Sequence, residues 1–519
     1  MDPMIGTGGY GHCFPAATAP FGAVQLGPDT GDHDWDHCSG YHHRDRRILG
    51  FSHTHLSGTG VGDMQDFRFM PAYPEDVISS DPRSFAAEFS HTDEKAEVGY
   101  YRLKLRKPEV LVELTATERT GTHRYQFSRQ NACILVDLSN VWRLSKPEPN
   151  ESPLVNWASL HCTGKDFFAS RSTAAWADGR KIYSYAEFSH APTKCELFVD
   201  GRPLASGTQL AKGKIVHAVF HFNDLPNGIL IAKTAISGVD EEGAKRNFER
   251  ESPSDFDALR KATQQKWAAA LGRVRVIEGG DERQRRIFYT GLYHAMLAPT
   301  LFDDVDGRYR GMDGEIHTLN KLEHNYSTFS LWDTYRALHP MLTLLIPEMV
   351  SPLCNCIIRQ SKESPKGVVV WPLQGRETGC MDGYHSAPVI AEAVRKGFKG
   401  IDLQTAYQLF KKRADLDDYR GLGAYRQYGY VPCDVVEQSA SRTCNYAYDD
   451  WCVAVLAEMA GDPAHATELR TRSKSYRNLY DSTSGFIRPR LGDGSWASPF
   501  DPRAITVTRK WRDYEEANG

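Results

Sequence analysis

The hydrophobic periodicity of this 519-residue chain changes near residue 260, and the change separates two kinds of structure. In the first part apolar and polar residues alternate, as they do through residues 101–105. Alternation with a period of two is typical of a strand with one buried face. Further strands are predicted at 110–116, 123–127, 133–138, 166–172, 180–189, 194–199, 214–222 and 228–236. Many short strands at this spacing predict a large antiparallel β-sandwich.

Helical periodicity dominates the second part of the chain. Ser254 is a candidate N-cap for a helix whose apolar face includes Leu259 and Trp267. Asp462 and Pro463 form a second start signal, with Asp as the N-cap and Pro at the first helical position. A long amphipathic helix is predicted from the spacing of Tyr448, Trp451, Cys452, Val455, Leu456 and Met459.

These patterns predict a β-sandwich domain over residues 1–240, a linker helix region over 241–280 and a helical domain over 281–519. Helix pairs joined by long loops rich in Gly, Trp and acidic residues favour an α/α toroid, and a helical bundle fits the same pattern equally well.

Composition excludes several classes of protein. Lys and Arg together number 62 against 66 Asp and Glu, for a net charge of -4, so nucleic acid is not expected as a partner. No apolar run approaches the roughly 18 residues of a membrane-spanning helix. The 11 cysteines are odd in number and spread along the chain, which indicates buried or free thiols rather than a disulfide framework.

The stretch 28–66 holds the densest group of polar side chains. It contains His33, His37, His42, His43, His53 and His55 among Asp29, Asp32, Asp34, Asp36, Asp45 and Asp63. One interpretation is a metal site, because imidazoles and carboxylates both bind divalent ions. The other is a Gly-rich loop whose polar groups hydrogen-bond to one another. In the same stretch, Trp35 is either an exposed aromatic that can stack on a sugar or a core tryptophan.

Two further stretches combine tryptophan with acidic residues. In 330–340, Trp332 and Asp333 provide a stacking surface beside a hydrogen-bond acceptor, although Asp333 could instead cap a helix. In 371–386, Glu377 lies in a Gly-flanked loop, where it could bind substrate or form a simple ion pair with Arg376.

Acidic pairs occur twice more. Asp449 and Asp450 fall within a strongly helical segment, where one acid is expected to be solvated and the other packed against a loop. Glu515 and Glu516 lie near residue 519. Carboxylates on loops, tryptophans and a helical toroid together point toward glycoside chemistry.

Taken in order, the motifs resemble glycoside hydrolase family 92, the calcium-dependent exo-α-mannosidases. The first motifs are IGTGGYGHCFPAATAPFGAVQLGPDT, CSGYHHRD and ILGFSHTHLSGTGVGD. The later ones are FSLWDTYRALHP, WPLQGRETGCMDGYHS, SRTCNYAYDDW and YEEANG. This resemblance spans the whole chain.

The resemblance implies an α+β multidomain fold, with an N-terminal antiparallel β-sandwich followed by an (α/α)6 barrel and the active site between them. It implies hydrolysis of terminal α-mannosides with inversion, on substrates such as N-glycans. The implied cofactor is Ca²⁺, a hard ion that binds oxygen ligands. An exported protein, periplasmic, secreted or on the cell surface, is also expected from the family.

The sequence departs from the family pattern at the residues that transfer protons. The family's general acid lies in a GNEP-type motif and its base in a GDxD- or GNDD-type motif near GQMSAW. Residues 1–519 contain neither GNEP nor the motif near GQMSAW. We therefore expect a C-terminally truncated member with an incomplete barrel, in which the acid and base lie beyond Gly519 and the chain itself is inactive.

The resemblance carries substrate-binding roles to six residues, with the metal ligands unknown. They are Trp35, Trp332, Asp333, Glu377, Cys380 and Glu516. Two other functions stay open at this stage: a non-catalytic carbohydrate-binding protein, and a metal-dependent hydrolase that uses the histidines of 33–55. The mannosidic linkage and the oligomeric state are not indicated by the sequence.

Overall fold

A computed structural model describes residues 1–77, 85–146, 151, 154–252, 254–320 and 323–502. The chain forms two compact units. The β-rich unit comprises Met1–Arg310, Ile316–Ser327 and Gln374–Arg376. The helical unit comprises Gly311–Glu315, Thr328–Leu373 and the chain from Glu377 onward. A β-rich part followed by a helical part is the order that the periodicity predicts, and it is confirmed.

Two large antiparallel sheets dominate the β-rich unit. The eight-stranded sheet has the order β1-β2-β4-β5-β11-β18-β15-β16 and the nine-stranded sheet the order β17-β12-β13-β14-β19-β10-β9-β8-β7. Their strands are β1 (Ala17–Thr18), β2 (Gln25–Asp29), β4 (Gly50–Ser52), β5 (Arg68–Ala72), β7 (Glu94–Glu97), β8 (Tyr100–Leu105), β9 (Val110–Ala116), β10 (Thr120–Phe127), β11 (Ala132–Asp137), β12 (Val155–Cys162), β13 (Asp166–Thr173), β14 (Lys181–Phe188), β15 (Lys194–Val199), β16 (Arg202–Pro203), β17 (Leu210–Gly213), β18 (Val216–Phe222) and β19 (Ile229–Ser237). A separate pair joins β3 (Arg47–Ile48) to β6 (Ala87–Glu88).

The strands form where the alternation predicts them. In β8, residues 101, 103 and 105 are buried while 102 and 104 are exposed. The six residues of β11 are all buried: the first five are apolar, and the last, Asp137, pairs with Arg68. Aromatic rings fill the space between the sheets: Phe167 of β13 stacks on Phe220 of β18 with ring centroids 5.0 Å apart. The predicted sandwich is thus held by an aromatic interior that both sheets supply.

Three helices follow the sandwich within the β-rich unit. They are α1 (Glu241–Glu251), α2 (Phe256–Leu271) and α3 (Glu282–His294). The cap of α2 is Asp255, whose carboxylate accepts from the amide of Ala258. The prediction of Ser254 as that cap is wrong, because the carboxylate one residue later reaches the free amide. Four short strands complete the unit: β20 (Thr300–Leu301), β21 (Arg308–Arg310), β22 (Ile316–Thr318) and β23 (Tyr326–Ser327).

The helical unit packs its helices around α10. Its elements are α4 (Leu331–Thr334), α5 (Leu338–Leu345), α6 (Pro347–Glu363), β24 (Pro372–Leu373), β25 (Arg376–Glu377, at the border of the unit), α7 (Ser386–Arg395), α8 (Leu403–Ala414), α9 (Leu422–Tyr428), α10 (Ser439–Ala460), α11 (Pro463–Arg472), β26 (Tyr480–Asp481) and β27 (Phe486–Ile487). Asp462 caps α11 and Pro463 begins it, as predicted. Among the described residues, no helix is long and apolar enough to cross a bilayer.

Helix α10 differs from its predicted amphipathic pattern. Tyr448 and Trp451, expected on the buried face, are about two-fifths exposed. Asp449 and Asp450 are both fully buried, so the prediction of one solvated acid is wrong. The helix is buried on most of its circumference. Hydrogen-bond and ion-pair partners offset the cost of burying its two carboxylates.

Candidate functional site

Asp333 is held by a serine at the start of a short helix. Ser330 occupies the N-cap position of α4, but its hydroxyl makes no capping bond to the backbone. Instead, that hydroxyl hydrogen-bonds to the carboxylate of Asp333. The interpretation of Asp333 as a helix cap is therefore wrong. Its side chain reaches solvent but is crowded by protein atoms, and this partial desolvation raises its pKa, against the opposing effect of the Ser330 bond.

The same serine links this turn to the loop that carries Glu377. The indole N–H of Trp371 donates to Ser330 Oγ at 2.7 Å. The amide of Trp371 in turn donates to Glu377 Oε1 at 3.0 Å. Asp333 and Glu377, which are 44 positions apart in the sequence, are therefore joined through two intervening residues. Both intermediates lie inside the motifs that the sequence singles out, but a hydrogen bond across 41 residues leaves no sequence signal.

Glu377 is a carboxylate held by backbone amides. Its oxygens accept from the amides of Val370 at 2.8 Å, Trp371 at 3.0 Å and Gly379 at 2.6 Å. No ion pair joins it to Arg376 within the described part of the chain, so the ion-pair interpretation is wrong. Burial raises the pKa of Glu377, and the three amide bonds oppose that rise only in part.

This arrangement leaves Glu377 with one open acceptor position. A carboxylate offers about four lone-pair sites, and three amides occupy three of them. A polar hydrogen on a ligand could therefore bind at Oε2, which carries a single amide bond. The loop itself cannot shift freely, because its backbone is tied to the carboxylate on both sides of the residue.

Trp332 and Cys380 flank these two carboxylates. Trp332 is half-buried, and within the described residues its indole makes no hydrogen bond or ring contact. Cys380 is also half-buried and directly follows Gly379 in the loop that carries Glu377. Glu516 lies outside the described residues.

A cavity of about 660 Å³ opens between α5, α7 and α10, and its described lining includes none of Trp332, Asp333, Glu377 and Cys380. Its walls combine aromatic rings with Arg, Glu and Asn side chains, a composition that suits hydroxyl-rich ligands. The residues that line it include Tyr335, Arg336, Glu392, Arg395, Asn445, Tyr448 and Trp451. Arg395 and Arg470 lie over the Trp451 ring, at 5.6 and 4.9 Å from its centroid.

Behind the cavity wall, His385 and Asp449 form a buried pair. Asp449 accepts from the amide of Tyr384 at 2.8 Å, and its other oxygen lies 2.9 Å from His385 Nδ1. The Tyr335 ring stacks on the imidazole, with centroids 4.4 Å apart. Asp449 thereby orients the ring that supports a cavity-lining tyrosine.

Asp450, the next residue, serves the helix packing. Its carboxylate accepts two hydrogen bonds from Arg472 and one from the hydroxyl of Tyr425. Burial raises the pKa of Asp450 to about 6, although Arg472 and Tyr425 lower it. The two adjacent acids thus have separate partners and separate roles.

In the β-rich unit, the His/Asp-rich stretch forms a hydrogen-bonded loop. His37 lies between the carboxylates of Asp34 and Asp45, at 2.8 and 2.7 Å. His55 lies between the carbonyl of Gln25 and the carboxylate of Asp29. No three His, Cys, Asp or Glu side chains converge to hold a metal ion anywhere in the described residues. The geometry therefore favours the hydrogen-bonded loop over metal ligation.

The same stretch presents Trp35 at its surface. The residue begins a short 3-10 helix capped by Asp34, and its side chain is 43% exposed. The interpretation as a core tryptophan is wrong. One edge packs on His12, and the ring lies over Gly60, where a Cβ would come within 2.3 Å of it. The glycine at position 60 leaves the space that holds this indole in place.

Asp66 ends the stretch in a buried ion cluster that the sequence does not reveal. It accepts from Arg171 Nε at 2.7 Å and from both terminal nitrogens of Arg180, at 2.8 and 2.9 Å. The hydroxyl of Thr54 donates to it at 2.6 Å. Burial alone would raise the pKa of Asp66, but the two guanidinium groups outweigh burial and hold that pKa well below its usual range. Through Arg171, the cluster anchors the loop to β13 of the nine-stranded sheet.

Comparison with known proteins matches the two parts of the chain to two domain families. Residues 1–237 match the glycosyl hydrolase family 92 N-terminal domain, and residues 243–519 match the glycosyl hydrolase family 92 catalytic domain. A curated relative from Arthroderma benhamiae, described as an uncharacterized secreted glycosidase, is 25% identical over 96% of this chain. The chain spans 65% of the length of that relative.

Solved structures agree with these matches. A family GH92 alpha-mannosidase from Bacteroides thetaiotaomicron, also solved in complex with mannoimidazole, has a TM-score of 0.92 and 33% identity, over 99% of this chain and 69% of that one. A GH92 inverting mannosidase from the same organism has a TM-score of 0.86 and 26% identity, over 99% of this chain and 68% of that one.

Proposed function

Since the chain belongs to glycosyl hydrolase family 92, we propose that its function is that of an exo-acting α-mannosidase, which releases terminal mannose from α-mannosides such as N-glycans. The observation that carries this proposal is the correspondence of 99% of the chain to a solved alpha-mannosidase with a TM-score of 0.92. A mannose-like inhibitor binds that relative, which supports a mannoside as the substrate class.

The proposed reaction proceeds with inversion, which the similarity to an inverting mannosidase supports. Inversion requires a carboxylic acid that protonates the leaving oxygen and a carboxylate that activates water, with the two groups roughly 6.5–9.5 Å apart. We assign neither role to a residue of this chain, because residues 1–519 lack the GNEP and GQMSAW motifs of the family. The proposal accordingly includes binding without turnover by residues 1–519 alone.

In this proposal, side chains of this chain bind the sugar by direct contact. Trp332 stacks its indole on the apolar side of the mannose ring in this proposal. Asp333 accepts a sugar hydroxyl at the carboxylate that Ser330 orients. Glu377 accepts another at its open lone pair, in a loop that its amide bonds keep in shape. Trp35, Cys380 and Glu516 complete the proposed set of substrate-binding residues.

Calcium dependence is also part of the proposal, as the family resemblance implies. Calcium would supply a hard cation for the sugar hydroxyl oxygens. No ligand is assigned to it among the described residues, because no three acidic, His or Cys side chains converge there. Export from the cytoplasm is proposed as well, and the secreted relative supports it.

A binding and turnover experiment tests the function. Mannoimidazole is titrated into the purified chain by calorimetry, with and without a calcium chelator, and mannose release from 4-nitrophenyl α-mannoside is followed in parallel. We expect saturable binding and no release of mannose. Absence of binding would refute a mannoside site in this chain, and measurable turnover would refute the placement of the acid and base outside it.

A substitution of Trp332 tests whether mannoimidazole binds at the proposed residues. Trp332→Ala removes the stacking surface and is expected to weaken mannoimidazole binding by about 5- to 10-fold, because one ring contact contributes roughly 1 kcal/mol. Trp157→Ala is the matched control, since Trp157 is a partly exposed tryptophan on β12 of the sandwich. Equal affinities of the two variants would contradict the role of Trp332.

A further inference from the structure

Two cysteines from different sheets of the sandwich meet in its interior. Cys162 is the last residue of β12 in the nine-stranded sheet, and Cys195 is the second residue of β15 in the eight-stranded sheet. Their sulfur atoms lie 3.0 Å apart, although 33 positions separate the two residues in the sequence. Within the described part of the chain, this is the one sulfur-to-sulfur contact recorded.

The strands on both sides fix the direction of these thiols. Cys162 lies directly opposite Phe167 in the β12–β13 register, and Cys195 lies directly opposite Phe220 in the β15–β18 register. Directly opposite residues of an antiparallel pair point to the same face of the sheet. Phe167 and Phe220 stack on each other between the sheets. The two thiols therefore point into the same inter-sheet space, and the registers keep them there.

The surroundings exclude other roles for the pair. No third His, Cys, Asp or Glu side chain joins them in a group that could hold a metal, among the described residues. The hydrogen bond between the thiols and their burial raise the pKa of Cys195, so little thiolate is present at neutral pH and its reaction with an oxidant is slow. Cys162 is 6% exposed and Cys195 is half-buried.

We propose that Cys162 and Cys195 are a disulfide-forming pair that links the two sheets of the sandwich when the protein meets a disulfide oxidant. With oxidised glutathione, the Cys195 thiol loses a proton and its sulfur attacks one glutathione sulfur, which releases one glutathione and forms a mixed disulfide. The deprotonated Cys162 sulfur then displaces the second glutathione. Two protein thiols lose two electrons and two protons in total, and one glutathione disulfide becomes two thiols.

The covalent change needs little movement. A disulfide brings its sulfurs to about 2.05 Å, so the pair closes by about 1 Å. Because the bond closes a loop of 33 residues, it restricts the unfolded chain and raises the melting temperature.

Peptide mapping tests the proposal directly. The full chain is equilibrated in a buffer of oxidised and reduced glutathione, alkylated and digested with trypsin without reduction. The cuts at Arg143, Lys165, Lys194 and Lys212 place the two cysteines in separate peptides that contain no other cysteine. We expect the linked pair of peptides 144–165 and 195–212, with a mass 2 Da below the sum of the masses of the two reduced peptides. Complete alkylation of both cysteines after equilibration would overturn the proposal, as would their linkage to other cysteines.

A thermal melt provides the second readout. We expect reduction to lower the melting temperature of the sandwich by about 5–10 °C in the wild-type chain and to leave the Cys195→Ser variant unchanged. Cys133→Ser is the control, because it removes a buried cysteine of β11 and leaves the pair intact. A wild-type chain whose melting temperature does not respond to reduction would refute the stabilising link. Neither disulfide experiment depends on mannoside binding, so a failure of the proposed function would leave the disulfide proposal unaffected.

Discussion

Replacement of Asp66 by Asn tests the buried ion cluster of the β-rich unit. Asp66 is fully buried and accepts four hydrogen bonds, from Arg171, Arg180 and Thr54. The substitution keeps the shape of the side chain, removes its charge and turns one acceptor oxygen into a donor that faces a guanidinium group. Both arginines stay buried, with Asp63 at 3.4 Å from Arg180 and the charge of Asp137 acting on Arg171.

The expected loss of stability is large. Removal of one partner from a buried ion pair costs roughly 3–5 kcal/mol, because the remaining charge is left without compensation. For a domain of about 240 residues this corresponds to a fall in melting temperature of about 10 °C. An exposed ion pair contributes roughly 0–1 kcal/mol. Asp257→Asn is therefore the matched control, since Asp257 pairs with Arg124 while its side chain is 70% exposed.

The pH dependence gives an independent check. The pKa of Asp66 is depressed in the folded protein, so its stabilising effect is fully present above the unfolded pKa of about 4 and is lost as the pH falls through the folded pKa. The difference in melting temperature between wild type and Asp66→Asn should thus be constant from pH 5 to 8 and shrink below pH 4. Differential scanning calorimetry of both variants measures it.

Two results would refute this reasoning. Equal destabilisation by Asp66→Asn and Asp257→Asn would show that burial does not amplify the contribution of the cluster. A difference that persists unchanged below pH 4 would show that charge is not the source of the effect.

Three further predictions concern single positions. Burial raises the pKa of Asp304 to about 7, so the free energy of unfolding should decrease with rising pH between about 4 and 7. Asp304→Asn should abolish that slope, which denaturation at a series of pH values measures. An unchanged slope in the variant would contradict the prediction. Glu377→Gln places an amide donor against backbone N–H donors and should weaken mannoimidazole binding at least 10-fold in calorimetry, whereas equal affinity would show that the carboxylate is not needed. Gly60→Ala should displace the indole of Trp35 and change its fluorescence, because the added Cβ would lie 2.3 Å from the ring; an unchanged spectrum would argue against that contact.

The local elements follow from local patterns, and the sequence predicts them well. The strands Asp166–Thr173, Lys194–Val199 and Val216–Phe222 lie within three residues of their predicted bounds, because a period of two is read directly from adjacent residues. The cap Asp462 is predicted for the same reason, since a cap acts within three residues. The predicted cap Ser254 is wrong by one residue because Ser254 and Asp255 are adjacent and both residue types are good helix caps.

Burial inside the helical unit is predicted poorly. Helix α10 has apolar residues at helical spacing, yet Trp451 on that face is exposed and Asp449 is buried. The pattern ranks residues by polarity, whereas the structure buries an acid when an imidazole and an amide lie opposite it, as His385 and Tyr384 do. Those partners come from 64 and 65 positions away.

The candidate site divides in the same way. The sequence by itself determines the family, the order of a β-rich part before a helical part, and the motifs that contain Asp333 and Glu377. Tertiary structure alone decides how these side chains are held: Ser330 and Trp371 join them, and three amides hold the carboxylate of Glu377. It also decides that Asp66 meets Arg171 and that Cys162 meets Cys195. The physical reason is distance along the chain, because periodicity and capping act within a few residues whereas charge pairs and thiol contacts depend on which strands and loops the whole fold brings together.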